Sequence, residues 1–89
     1  DDLRFVSESV RVEFEERFLT QIDDLILLMN TERILEFTES VKAFAEMNSI
    51  SELKRICVEI NMAIDSFEFD HVERLLYLIK TTMFPRNKR

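Results

Sequence analysis

Not one of the 89 residues is glycine, and Pro85 is the only proline. Hairpin turns and barrel corners rely on residues that accept positive φ, glycine above all. A chain so poor in them is disfavoured as an all-β fold, and a phosphate-cradling glycine loop is excluded outright. What the chain has instead is apolar residues recurring at helical spacing. The expected fold class is all-α, a small antiparallel four-helix bundle.

Four stripes carry that expectation. Phe14, Phe18, Ile22, Leu25, Ile26 and Met29 recur at three- and four-residue steps and predict a first helix over 8–29. Glu13, Glu15, Glu16, Asp23 and Asp24 would form its solvated side rather than a metal site. Asn30 or Thr31 can cap a second helix over 31–47, with Ile34, Phe37, Val41, Phe44 and Ala45 inward and Leu35 and Met47 near its edges. Ser49-Ile50-Ser51-Glu52 fits a capping box opening a third helix over 50–66, whose buried side is Leu53, Ile56, Cys57, Ile60, Ala63, Ile64 and Phe67. Asp70-His71-Val72-Glu73 offers a second box. The fourth helix turns Val72, Leu75, Leu76, Ile79 and Met83 inward and stops before Pro85.

Connections of a few residues make sequential helices neighbours. Five of the eight phenylalanines, Phe14, Phe18, Phe37, Phe44 and Phe67, fall on inward faces, while Phe5, Phe69 and Phe84 lie nearer boundaries. Leu27, Leu28, Leu35, Tyr77 and Leu78 widen the stripes. They either cover bundle seams or supply an apolar patch for another protein.

Length permits one domain with a modest core, spanning 1–89, with 1–7 and 84–89 as flexible ends. Leu3, Phe5 and Val6 could instead extend the first helix or pack across the bundle end. The opening Asp1-Asp2 reads as a domain excised from a longer protein. Acids outnumber Lys and Arg by 18 to 12, a formal charge of -6, which opposes nonspecific nucleic-acid binding despite Lys54, Arg55 and the basic run after Pro85. No apolar run is long enough to cross a membrane, and no stretch is expected to act as a signal peptide. Cys57 has no partner for an internal disulfide, and its apolar neighbours mark it as a small buried hydrophobe.

His71 is the only histidine. A helical bundle can pass a phosphoryl group through one exposed histidine, but the expected position of His71 is a helix start. With no second histidine and no ligand cluster, no metal or cofactor is expected. No Ser–His–acid or Cys–His arrangement appears, so the chain is not expected to be an enzyme and no catalytic residue is assigned.

One resemblance adds to this. Residues Asn30-Thr31-Glu32-Arg33-Ile34-Leu35-Glu36-Phe37, then Ser51-Glu52-Leu53-Lys54-Arg55-Ile56, then Phe67-Glu68-Phe69-Asp70-His71-Val72-Glu73-Arg74-Leu75-Leu76 form the matching pattern. Over Asn30 to Ile79 the chain resembles the small C-terminal helical domain of some bacterial hybrid sensor histidine kinases and related response regulators. The family usually has a proline near the start of the third helix, where this chain has Ser49-Ile50-Ser51. The resemblance implies a non-catalytic regulatory or protein-interaction module in two-component signal transduction. Its partner would be a neighbouring receiver or kinase domain of the same or a cognate protein, with self-association as a lesser expectation. Its location would be cytoplasmic, either free or as the cytoplasmic part of a membrane-bound sensor. The alternatives are a helical adaptor or oligomerisation domain, or a histidine phosphotransfer domain using His71. Phosphotransfer domains carry their histidine within a helix, with a lysine and a glycine close behind it. Here Val72, Glu73, Arg74 and Leu75 follow.

Overall fold

The computed structural model describes residues 6–84. Leu3, Phe5, Pro85 and the basic run that follows lie outside them. The described chain is a small all-helical bundle of four helices without strands. Helix α1 covers residues 8–28 and is made of three consecutive pieces: α-helical Glu8–Phe14, π-helical Glu15–Leu19 and α-helical Thr20–Leu28. Then come α2 (Thr31–Met47), α3 (Ser51–Asp65) and α4 (Phe69–Met83).

The π turn has a cause in the apolar spacing. Val10, Phe14, Phe18 and Ile22 are each four residues apart, and the last three are buried while Val10 packs against them. An α-helix turns about 100° per residue, so each four-residue step overshoots by about 40° and three steps drift by about 120°. The wider π turn absorbs residues and holds all four on one face. Phe14 and Phe18 then stand 5.0 Å apart, and both reach Phe44 of α2 at 5.6 Å. Phe18 meets Phe37 edge-on at 5.8 Å, and Phe84 closes the far side of Phe14 at 6.0 Å. These are favourable tilted and edge-to-face geometries. The guanidinium of Arg17 lies 4.7 Å over the Phe18 ring and 5.6 Å from Phe44, roofing the aromatic end. The other half of the core is aliphatic: Leu53, Ile56, Ile60, Val72, Leu76 and Ile79 are fully buried between α2, α3 and α4.

Helices α2 and α3 run antiparallel, since Thr38 faces Asn61 and Glu46 faces Lys54. Thr38, the one buried polar side chain among the described residues, is satisfied: its hydroxyl lies 2.9 Å from the Leu35 carbonyl and 2.9 Å from the Asn61 amide. Helix α1 is inclined across the end of α4. Arg11 donates to the Met83 carbonyl, and Asp23 accepts from Lys80 at 2.9 Å. Those two α1 residues are about 18 Å apart along the axis. Both still reach the final turns of α4.

The starts of α1 and α2 follow ordinary capping. Ser7 accepts from the Val10 amide at 3.3 Å and Asn30 from the Arg33 amide at 3.2 Å. Neither expected capping box forms. Ser49 has φ 58 and is taken by the end of α2. There Ile50 N–H reaches Ala45 O at 2.9 Å and Ser49 N–H reaches Glu46 O at 3.4 Å, the bond pair of a Schellman motif. A residue in the left-handed region cannot also hold the extended backbone of an N-cap. The α3 cap is therefore Ile50, whose buried side chain seals the turn without a side-chain hydrogen bond.

The α3–α4 turn repeats the device. Phe67 has φ 59, and Glu68 N–H and Phe67 N–H bond Ala63 O at 2.9 Å and Ile64 O at 3.0 Å. Helix α4 then starts at Phe69 with Glu68 as an uncapped N-cap, so Asp70 lies inside the first turn, where its charge favours the helix dipole. The left-handed bend also turns Phe67 outward. It is 77% exposed, not part of the core as its place in the stripe suggested.

A non-glycine residue in the left-handed region costs about 1–2 kcal/mol, partly offset by the extra entropy a glycine loses on folding. Ser49 is exposed, so Ser49→Gly should stabilise the fold by about 0.5–1 kcal/mol. A raised urea midpoint with unchanged slope is the expected record, and a lowered midpoint would contradict the turn geometry.

Candidate functional site

His71 is the third residue of α4, partly exposed, on a shallow open concavity that also involves Phe67, Glu68, Phe69, Asp70 and Arg74. Its position follows from the Schellman turn, which starts α4 early and leaves the imidazole in the first helical turn. Among the described residues the His71 imidazole makes no hydrogen bond or ion pair. Beside it Phe67 and Phe69 meet edge-on at 6.2 Å. Glu68 and Asp70 bring negative charge to the same rim. The turn thus joins the exposed ring of Phe67, the partly buried ring of Phe69, one imidazole and charges of both signs.

Cys57 is fully buried. Burial disfavours its thiolate and pushes the thiol up to about 12, a little relieved by Lys42 and reinforced by Glu39. Unfolded, the same thiol ionises near 9.0. The unfolded chain therefore loses its proton first, so this contribution to stability is present below pH 9 and is lost as pH rises toward 12. Native Cys57 should resist iodoacetamide at pH 8 and react at the rate of global unfolding. Rapid alkylation of the folded protein would place the thiol at the surface.

The acids of α1 do not gather. Among the described residues no three His, Cys, Asp or Glu side chains are placed to hold a metal ion. The cations noted near α3 are engaged: Lys54 pairs with Glu46 at 2.7 Å, and Arg55 pairs with both Glu52 and Glu59. Glu46 is accordingly held below the ordinary carboxylate range, first by its hydrogen bond to Lys54 and then by that ammonium's charge. No described helix is long and apolar enough to cross a membrane.

The extra apolar positions resolve toward solvent. Leu27 and Leu28 are largely exposed, while Leu35, Tyr77 and Leu78 are each about half-buried. The stripes alone did not single out Met62, which is exposed on α3. Met62 was legible only as an apolar residue off the stripe. For Phe67 the spacing actively misled, because it continues the α3 period two residues past the helix end. Comparison of the chain with protein-family models, with curated proteins and with solved structures finds no match.

Proposed function

We propose that this domain is a non-catalytic protein-interaction module, the regulatory element of a two-component signalling protein, and that its partner is a neighbouring receiver or kinase domain. The observation that carries the reading is Phe67. An aromatic side chain stands 77% exposed on a left-handed backbone, two costs at one position. Exposed aromatic side chains are common anchors of protein interfaces. Leu27, Leu28, Met47 and Met62 add accessible apolar surface outside a completed core. The signalling context comes from the resemblance over Asn30 to Ile79.

A second reading has one observation in its favour. His71 is partly exposed and unpartnered among the described residues, and a helix N-terminus can hold a phosphoryl group through its free amides. Against it, Glu68 and Asp70 would repel that group, and the rings of Phe67 and Phe69 crowd the same turn.

One pair of measurements separates the readings. Titrating the isotope-labelled domain with the receiver domain of its parent protein should shift amides around Phe67 and the exposed leucines. Mixing it with phosphorylated receiver should leave no acid-labile adduct on His71 by mass spectrometry. Efficient transfer to the wild type but not to His71→Gln would make the domain a phosphotransfer protein. An unshifted spectrum at high receiver concentration, with parent kinase activity unchanged by deletion of the domain, would remove the interaction reading.

A further inference from the structure

Where α1 meets α2 at the Met29–Asn30 turn, the two helices leave a cleft of about 250 Å³ between them. Its floor is Leu25 and Phe37, both nearly fully buried, and its lip is Leu28, which is 67% exposed. Asp24 stands on the α1 wall and Glu36 on the α2 wall. Neither carboxylate has an ion-pair partner among the described residues. Arg33 is the one cation of the lining, near the turn.

Size and charge together select an occupant. Pockets for drug-sized ligands run to roughly 300–1,000 Å³ and bury most of the ligand. This cleft is smaller, a size that suits inserted side chains. Its apolar floor and lip call for aliphatic anchors. Carboxylates on both walls, in a chain of net charge -6, call for cations beside those anchors. Arg33 at the turn end matches the negative carbonyl end of a helix.

We infer that the α1–α2 cleft docks an amphipathic helical segment of a partner protein, with aliphatic anchors between Leu28 and Phe37 and lysines or arginines facing Asp24 and Glu36. This names a partner chemistry and rests on the interaction-module reading.

The probe is a labelled synthetic amphipathic peptide of leucine, alanine and lysine, with a twin in which glutamate replaces every lysine. Anisotropy titration should show binding of the lysine peptide at least about 10-fold tighter than the twin, a difference of about 1.4 kcal/mol. Affinity should fall as salt rises from about 0.05 to 0.2 M. Leu28→Asp and the double variant Asp24→Lys, Glu36→Lys should each weaken binding about 10-fold. Val58→Asp, an exposed apolar position on α3, should not. All four positions are exposed, and circular dichroism verifies that each variant is folded.

Equal binding of the two peptides overturns the inference, as does indifference to Leu28→Asp. Amide shifts centred on Phe67 rather than the cleft overturn it while leaving the module reading intact. So does binding of the receiver without binding of either peptide. Self-association abolished by Leu28→Asp, with no peptide competition, would give the cleft to a second copy of this chain. If neither peptide nor receiver binds, both readings fall.

Discussion

Phe44→Ala should lower the unfolding free energy by about 3–5 kcal/mol, the range for an aromatic ring deleted from a packed core. Phe44 is 2% exposed and contacts the rings of Phe14 and Phe18, each at 5.6 Å. Its removal takes a face from both, and the Arg17 guanidinium loses one of the two rings beneath it. The gap lies where α1 packs on α2, and neither helix can close on it without moving the π turn that aligns Phe14 with Phe18. Against a typical domain stability of about 5–15 kcal/mol, the loss is a large share. Urea unfolding followed by circular dichroism measures it. Phe67→Ala is the comparison: the same atoms are deleted from an exposed ring, and the expected cost is within about 1 kcal/mol, mainly the edge-on contact with Phe69. Equal costs for the two substitutions would mean that the aromatic end is not the core described.

That contrast also marks how far the amino-acid pattern carries. Phe14, Phe18, Phe37 and Phe44 were legible as core because burial follows helical period, and all four are buried. The four-residue rhythm from Val10 to Ile22 also encodes the π turn, although stripe counting alone does not separate it from an α-helix. The turns are where pattern reading failed. In a chain without glycine nothing marks a left-handed residue, and Met29, Ser49 and Phe67 adopt φ of 49, 58 and 59. Ser49 looks like a cap because serine caps helices, but with only residues 48–50 between α2 and α3 one residue cannot end one helix and start the next. Placement of His71 at a helix start was legible. Its company with the exposed ring of Phe67 was not, since that depends on the backbone sign at Phe67. The α1–α2 cleft was invisible for a similar reason: it depends on the angle between helices, which stripes do not encode.

Arg11→Met should cost about 2 kcal/mol, and Asp23→Asn less than about 1 kcal/mol, although both side chains tie α1 to the last turn of α4. Arg11 is half-buried and donates to the carbonyl of Met83. That carbonyl is one of the four at the end of α4 that no helical amide can reach, and it sits at the negative end of the helix dipole. Methionine keeps much of the aliphatic length but removes donor and charge, leaving the carbonyl in a partly desolvated place. Asp23 and Lys80 pair at 2.9 Å, but the carboxylate side is 68% exposed, so water and salt take over most of what the partner supplies. Ionic strength separates the two further. The penalty for losing the Asp23 pair should vanish in about 1 M salt, while the penalty at Arg11 should largely persist, because a hydrogen bond shielded from solvent is little screened. Urea unfolding at low and high salt measures both. Equal penalties, or an Arg11 penalty erased by salt, would mean that the shielded hydrogen bond to the Met83 carbonyl is not what holds α1 on the end of α4.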